Sequence, residues 1–148
     1  MKISKHYTKH HVEFDLYAHK MKIQNEASSL VLRNAELLAD KVLEPIYHLH
    51  PNIISWYRSE ALEREYSKFN YMEWCRSLKL QTNAESWKRY LSDKQHVTGS
   101  AVTLMYDKEI VKALRKMEFD ILGVDTYIHV SYSQNNRKMV IEDASLVR

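Results

Sequence analysis

Residues 127–132 constrain the fold of this chain more than any other segment. They read Tyr-Ile-His-Val-Ser-Tyr, so Ile128 and Val130 alternate with the polar residues His129 and Ser131. This period of two is typical of a β-strand that buries at least one face. An isolated hairpin is at best marginally stable in water, so the pattern predicts a larger sheet with helices packed on it.

Two segments have the apolar spacing of helices. Residues 27–43 carry the first apolar stripe, and we predict that Pro45 ends this helix because proline lacks a backbone donor. Residues 107–117 carry a second stripe formed by Ile110, Val111, Leu114 and Met117. The predicted fold class is therefore α+β, with a small, mostly antiparallel sheet flanked by helices.

Shorter signals predict the remaining elements. Residues 53–57 are β-branched and aromatic, which favours a strand, and Ser59 can cap a helix that follows. Residues 96–104 predict a turn that leads into another strand. Residues 139–141 are expected to pair with the alternating strand as a C-terminal hairpin.

The chain of 148 residues is expected to form one domain, residues 1–148. Glycine and proline occur only twice each, so no flexible linker divides it. Residues 1–24 are predicted to be an N-terminal arm, and its expected anchors are Phe14, Leu16 and Tyr17. Residues 66–91 look like an insertion of one or two helices that is rich in aromatic and charged residues.

Charge and cysteine content restrict the class of protein. The net charge of +3 is spread along the chain, which suits an anionic cell wall or a nucleic acid without selecting either. The single cysteine, Cys75, excludes an intramolecular disulfide and is read as a half-buried structural thiol. The N-terminus lacks the apolar core of a signal peptide, and no apolar run reaches the roughly 20 residues of a membrane span, so a cytoplasmic origin is expected.

Three short motifs stand in a fixed order. Residues 55–59 read Ser-Trp-Tyr-Arg-Ser, His96 is followed by Gly99 and Ala101, and residues 127–132 centre on His129. In this order and context they resemble the zinc D-alanyl-D-alanine carboxypeptidases, a family that cuts the peptides of bacterial peptidoglycan. The likeness extends over nearly the whole chain.

This resemblance implies a hedgehog-type or D-Ala-D-Ala-peptidase-like fold and a set of roles. His96 and His129 would be zinc ligands, and Arg58 would bind a substrate carboxylate. Short relatives without a signal peptide are common in bacteriophages, so the resemblance also implies a phage protein, either in the virion or in the cytoplasm of an infected bacterium. Its partners would be a peptidoglycan peptide or other phage structural proteins, with a homo-oligomer also possible.

The chain departs from the family pattern at the metal site. Thr103 stands seven residues after His96, where the family has its aspartate ligand. A catalytic zinc needs three protein ligands and an open position for water, and a threonine hydroxyl is a poor substitute for a carboxylate. Asp107 or Asp93 would have to supply the missing oxygen, although neither has the family spacing.

Two further departures affect the substrate groove and the general base. Trp56 replaces a glycine of the first motif and puts a large ring beside Arg58. The nearest acid before His129 is Asp125, one residue further back than the family's base, and it can serve only if a bulge turns it to the right face.

Two functions remain after these departures. The first is an active, zinc-dependent peptidoglycan peptidase. The second is a pseudoenzyme that keeps the scaffold as a structural or cell-wall-binding part, and the altered ligand, groove and base favour it.

Other signals have plainer interpretations. The histidines near the N-terminus lack helical metal-ligand spacing and are read as a solvated arm. Trp74, Trp87 and Tyr90 lie among basic residues and could stack on nucleic-acid bases, but an amphipathic surface helix explains them better, so nucleic acid is not an expected partner.

Overall fold

The computed structural model describes residues 1–142 and has the predicted α+β class. Its strands lie in the order β1-β2-β4-β3-β5 within one sheet. They span Ile53–Ser55 (β1), Ala101–Met105 (β2), Ile121–Val124 (β3), Tyr127–Ser131 (β4) and Met139–Ile141 (β5). The helices span Lys9–Glu13 (α1), Leu16–Met21 (α2), Ser29–Leu38 (α3), Glu60–Leu78 (α4), Ala84–Leu91 (α5) and Lys108–Arg115 (α6). Within these residues no helix is long and apolar enough to cross a membrane.

The sheet is mostly antiparallel, as predicted. Strand β4 lies at its centre and pairs antiparallel with both β2 and β3. The exception is β5, which runs parallel to β3. Ile128 and Val130 of β4 are fully buried in the main apolar core, which they share with α3 and α6. The alternating segment therefore forms the middle of the sheet.

The predicted C-terminal hairpin is wrong. Residues 139–141 pair with β3, and the hairpin partner of β4 is β3 itself. Strand β3 escapes detection because it has only four residues and contains Gly123, which weakens a strand pattern. Asp125 forms the connecting turn, where its side chain accepts a hydrogen bond from the Tyr127 amide at 2.9 Å.

Pro45 does not end the helical segment. Helix α3 continues as a π turn, Ala39–Leu43, and then as a 3₁₀ helix, Glu44–Leu49. Pro45 stands near the start of that 3₁₀ helix, where a backbone donor is not required. The helix therefore changes from π to 3₁₀ hydrogen bonding next to the proline, and the chain remains helical to Leu49.

The N-terminal arm is attached by different residues from those predicted. Phe14, Leu16 and Tyr17 are all exposed. The buried apolar residues of the arm are Ile3, Tyr7, Val12 and Ala18. The arm folds into α1 and α2, and each of these short helices turns one apolar side chain inward, Val12 or Ala18.

Residues 66–91 contain parts of two helices, as predicted. They comprise most of α4 and all of α5, and Ser59 caps α4 as expected. These helices enclose a second, smaller apolar cluster formed by Tyr71, Cys75, Tyr90 and Leu91. Cys75 is a free thiol inside this cluster, and it is fully buried where a half-buried thiol was predicted.

Asp120 attaches the segment before β5 to the sheet. Its carboxylate accepts two side-chain hydrogen bonds from Arg137, both at 2.9 Å, and one from Gln95 at 2.7 Å. The bonds from Arg137 lower the pKa of Asp120 to about 2.

We expect Asp120→Asn to lower the free energy of unfolding at neutral pH by about 1–3 kcal/mol. Because the folded-state pKa of Asp120 is depressed, its contribution is present above the unfolded pKa of about 4 and is lost as the pH falls through the folded value. The stabilities of the two proteins, measured by urea unfolding, should therefore converge as the pH falls from about 4 to about 2. Exposed Glu36→Gln is the control, and a difference independent of pH would contradict the role of the carboxylate.

Candidate functional site

The two predicted metal-ligand histidines meet on the sheet. Thr103 of β2 lies directly opposite His129 of β4 in the strand register. The rings of His96 and His129 have centroids 5.3 Å apart and meet edge to face. The Thr103 hydroxyl lies 3.1 Å from Nε2 of His96. The prediction that these three residues face one point is confirmed.

A tight turn before β2 places His96. Gly99 has φ +79° in this turn, a conformation that favours glycine. A Cβ atom there would lie 2.8 Å from both the carbonyl oxygen and Cγ1 of Val31, so α3 leaves no space for a side chain. The turn is joined to the segment after β1, since the Arg58 amide donates to the His96 carbonyl at 3.0 Å.

The hydrogen bonds of His96 define its tautomer. Nδ1 lies 2.6 Å from the Trp56 carbonyl oxygen, which can only accept, so Nδ1 carries the proton. Nε2 is then an acceptor, and the Thr103 hydroxyl donates to it. Burial, followed by the charges of Arg58 and His129, holds the pKa of His96 well below its ordinary value. The imidazole is therefore neutral.

These residues do not fit a catalytic zinc ion. Zinc would lie about 2.0–2.1 Å from Nε2 of His96, on the side where the Thr103 hydroxyl now donates. His96, Thr103 and His129 are each at most 2% exposed. Within residues 1–142, no group of three or more His, Cys, Asp or Glu side chains is arranged to hold a metal. Asp107 caps α6 through the amides of Glu109 and Ile110.

Arg58 lies in a buried ion pair. Its guanidinium donates to Glu63 Oε2 at 2.8 Å and to Ser55 Oγ at 3.0 Å. The ring of Tyr66 covers it at 3.8 Å. Both charged residues are at most 1% exposed. A substrate carboxylate at Arg58 would have to displace Glu63 from this buried ion pair.

The tryptophan of the first motif, Trp56, belongs to the main apolar core. The Trp56 ring is fully buried, and its Nε1 donates to the Gly99 carbonyl at 3.1 Å. Tyr7 of the N-terminal arm packs edge to face against it, with centroids 5.8 Å apart. This large ring is therefore a core residue.

Sequence reasoning missed the buried acid that extends this network. Asp15 caps α2, and its other oxygen accepts from Ser55 at 2.7 Å and Tyr66 at 2.8 Å. Burial raises the pKa of Tyr66, so its hydroxyl remains a donor. Asp15 stands one residue before a short helical segment, which is a signal for a helix cap. That signal does not predict a contact with Ser55 of β1.

Asp125, the predicted base, lies in the turn between β3 and β4. The register across this hairpin is continuous, from Leu122 opposite Val130 to Val124 opposite Ile128. The described part of this hairpin therefore contains no bulge that would turn Asp125 toward the face of the sheet that carries His129. One carboxylate oxygen of Asp125 is used within the turn, by the Tyr127 amide.

No protein-family model, curated protein or solved structure matches this chain. The geometry of its own residues is therefore what bears on function.

Proposed function

We propose that this chain is a degenerate, catalytically impaired relative of the zinc D-alanyl-D-alanine carboxypeptidases. Its role would be structural or cell-wall-binding in a bacteriophage particle. One observation carries the proposal: Thr103 donates a hydrogen bond to the nitrogen of His96 that a metal would need. The nitrogen that a metal would need is therefore already hydrogen-bonded within the protein.

Two neighbouring features support the same proposal. Arg58 is neutralised by Glu63 inside the protein, so its charge is already compensated. Trp56, two residues before it, belongs to the apolar core. Metal-assisted hydrolysis requires an open coordination position for water and access for the peptide. Closed packing at all three positions favours a scaffold role.

The alternative is an active zinc-dependent peptidase, and one observation favours it. The Nδ1 proton of His96 is donated to a backbone carbonyl, which is how many zinc ligands are oriented. If zinc binds at all, His96 and His129 would hold it weakly. Arg58 and Asp125 would then need to move to reach a substrate.

Incubation with purified peptidoglycan and excess zinc separates these functions. We expect no release of D-alanine or wall peptides, because no open metal site faces the solvent within the described residues. The variants His96→Ala and His129→Ala should give the same null result. Zinc-dependent release that disappears in His129→Ala would overturn the proposal and establish the peptidase.

A further inference from the structure

Strand β5 forms one edge of the sheet, and one side of its backbone faces away from the sheet. It follows β3 in the strand order, and no strand lies beyond it within residues 1–142. The Met139 amide donates to the Asp120 carbonyl at 2.9 Å, so the backbone groups of Met139 point toward β3. Those of the next strand residue, Val140, therefore point outward. No other segment of the described chain bonds to them.

The side chains at this edge are apolar. Met139 is 41% exposed and Val140 is 46% exposed, while Ile141 is half-buried. Natural proteins usually protect a free edge with a lysine, a proline or a bulge within the strand. The three residues of β5 include none of these, and their register with β3 is continuous. This edge can therefore accept another strand.

The opposite edge of the sheet is partly occupied by the chain itself. The Ser55 hydroxyl of β1 donates to Asp15 of the N-terminal arm at 2.7 Å. Two residues beyond β1, the Tyr57 amide donates to the Val12 carbonyl at 3.1 Å. The arm thus packs beside β1, and β5 is the edge that remains for pairing with a second molecule.

Charged residues flank β5 in a self-complementary order. Residues 138–142 read Lys-Met-Val-Ile-Glu, so a cation precedes the apolar triplet and an anion follows it. Lys138 and Glu142 are both exposed, and neither forms an ion pair with a described residue. The Lys138 ammonium lies 5.9 Å from the centre of the Phe119 ring. The adjacent Arg137 already has its own carboxylate partner and lies outside this pattern.

We propose that β5 pairs antiparallel with β5 of a second copy of this chain, about a two-fold axis beside Val140. The two Val140 residues then face each other and exchange two backbone hydrogen bonds, as one of the two pair types of an antiparallel ladder does. Met139 of each copy lies opposite Ile141 of the other, and Lys138 lies beside Glu142. The residue with outward backbone groups is thus also the centre of the charge pattern.

Other arrangements of this edge fit less well. Parallel pairing of two β5 strands would put Lys138 beside Lys138 and Glu142 beside Glu142, which is unfavourable. A shift of one residue would remove Val140 from the two-fold axis and separate the opposite charges. An uncharged extended peptide could bond to the backbone but would leave both flanking charges without a counter-ion. A second copy supplies every complementary group.

The paired surface is small, so the dimer is expected to be weak. Lys138 has a left-handed backbone with φ 53°, so extended pairing begins at Met139 and involves three residues of each copy. Interfaces of this size belong to the weak, transient class, and we expect a dissociation constant on the order of 0.1 mM. The inference rests on the sheet edge and not on the proposed function, so either can fail without the other.

Sedimentation equilibrium of the full chain tests the pairing. We expect the average mass to rise toward that of two chains between about 10 μM and about 1 mM. Val140→Lys puts two ammonium groups at the symmetry axis and should weaken the dimer at least about tenfold. Met105→Lys is the matched control, because Met105 is 43% exposed in the same sheet but its strand lies between β1 and β4. It should leave the dimer unchanged.

Charge reversal tests the register separately. Lys138→Glu and Glu142→Lys each put like charges beside one another at both ends of the paired strands, and each should weaken the dimer about tenfold. The double variant Lys138→Glu/Glu142→Lys restores opposite charges and should regain the native affinity to within about threefold. Recovery of this kind cannot come from a folding defect in the single variants.

Three results would overturn the inference. The first is a chain that stays monomeric up to about 1 mM. The second is a dimer that Val140→Lys leaves intact, or that Met105→Lys weakens equally. The third is a double charge-reversal variant that associates no better than the single ones, because the flanking charges would then not meet across the interface.

Discussion

Glu63→Gln is expected to lower the free energy of unfolding by about 3–5 kcal/mol. The substitution keeps the size of the side chain but removes its charge, so the guanidinium of Arg58 remains buried without a counter-ion. Arg58 is 1% exposed and its Nη1 lies 2.8 Å from Glu63 Oε2. Water does not replace the lost carboxylate at such a depth. Urea unfolding with linear extrapolation measures the change.

Helix α4 supplies a matched control for this experiment. Glu73 and Arg76 form an ion pair on the same helix, but both side chains are about 70% exposed. Glu73→Gln should change stability by less than about 1 kcal/mol, because solvent screens this pair. Equal effects of the two substitutions would show that the Arg58 pair is solvated in solution.

A compensated double variant separates charge from packing. In Arg58→Met/Glu63→Leu both charges are replaced by apolar groups of similar length, and we expect most of the stability lost in Glu63→Gln to return. Failure to recover would mean that the bond from Arg58 to Ser55 carries more of the stability than the ion pair.

The sequence predicted the elements whose pattern is local. Alternation at 127–132 identified β4, the stripe at 107–117 identified α6, and Ser59 identified the start of α4. These signals depend on short-range periodicity and capping, which require no knowledge of the rest of the chain. The α+β class followed because the chain contains both the strand period of two and the helical period of about 3.6.

Elements set by long-range packing could not be predicted. Strand β5 pairs with β3 and not with β4, and this pairing depends on the order of all five strands in the sheet. The arm residues Ile3 and Tyr7 are buried because the main core receives them, although neither lies in a periodic segment.

The candidate site shows the same division. Motif order predicted that His96, Thr103 and His129 converge, and they do: β2 and β4 place Thr103 opposite His129, and the turn before β2 adds His96. It did not predict that Arg58 would be neutralised. Glu63 is only five residues away in sequence, but which charged groups a fold buries together depends on how α4 packs beside β1.

Thr103→Asp is expected to tighten zinc binding by at least about 100-fold. The carboxylate would replace the hydroxyl that now donates to Nε2 of His96, and it would stand directly opposite His129. Two imidazoles and one carboxylate form a common zinc-ligand set, whereas two imidazoles with a hydroxyl lack the negative charge. Zinc competition against a chromophoric chelator measures the affinity of both proteins.

The same substitution should lower the thermal stability of the protein when no zinc is present. Without zinc, the carboxylate introduced by Thr103→Asp would be buried with no metal ion to bind, so this variant should unfold at a lower temperature than the native chain. Saturating zinc should reverse that loss, because an ion that binds only the folded state stabilises it.

Two controls isolate the carboxylate as the cause. Thr103→Asn introduces nearly the same shape as aspartate without the charge and should not bind zinc tightly. Thr98→Asp puts a carboxylate on the exposed part of the turn that carries His96, and it should leave the affinity unchanged. Equal zinc affinity in the native chain and in Thr103→Asp would contradict this prediction. Another side chain would already complete the ligand set, and the active peptidase would become the better explanation of this fold.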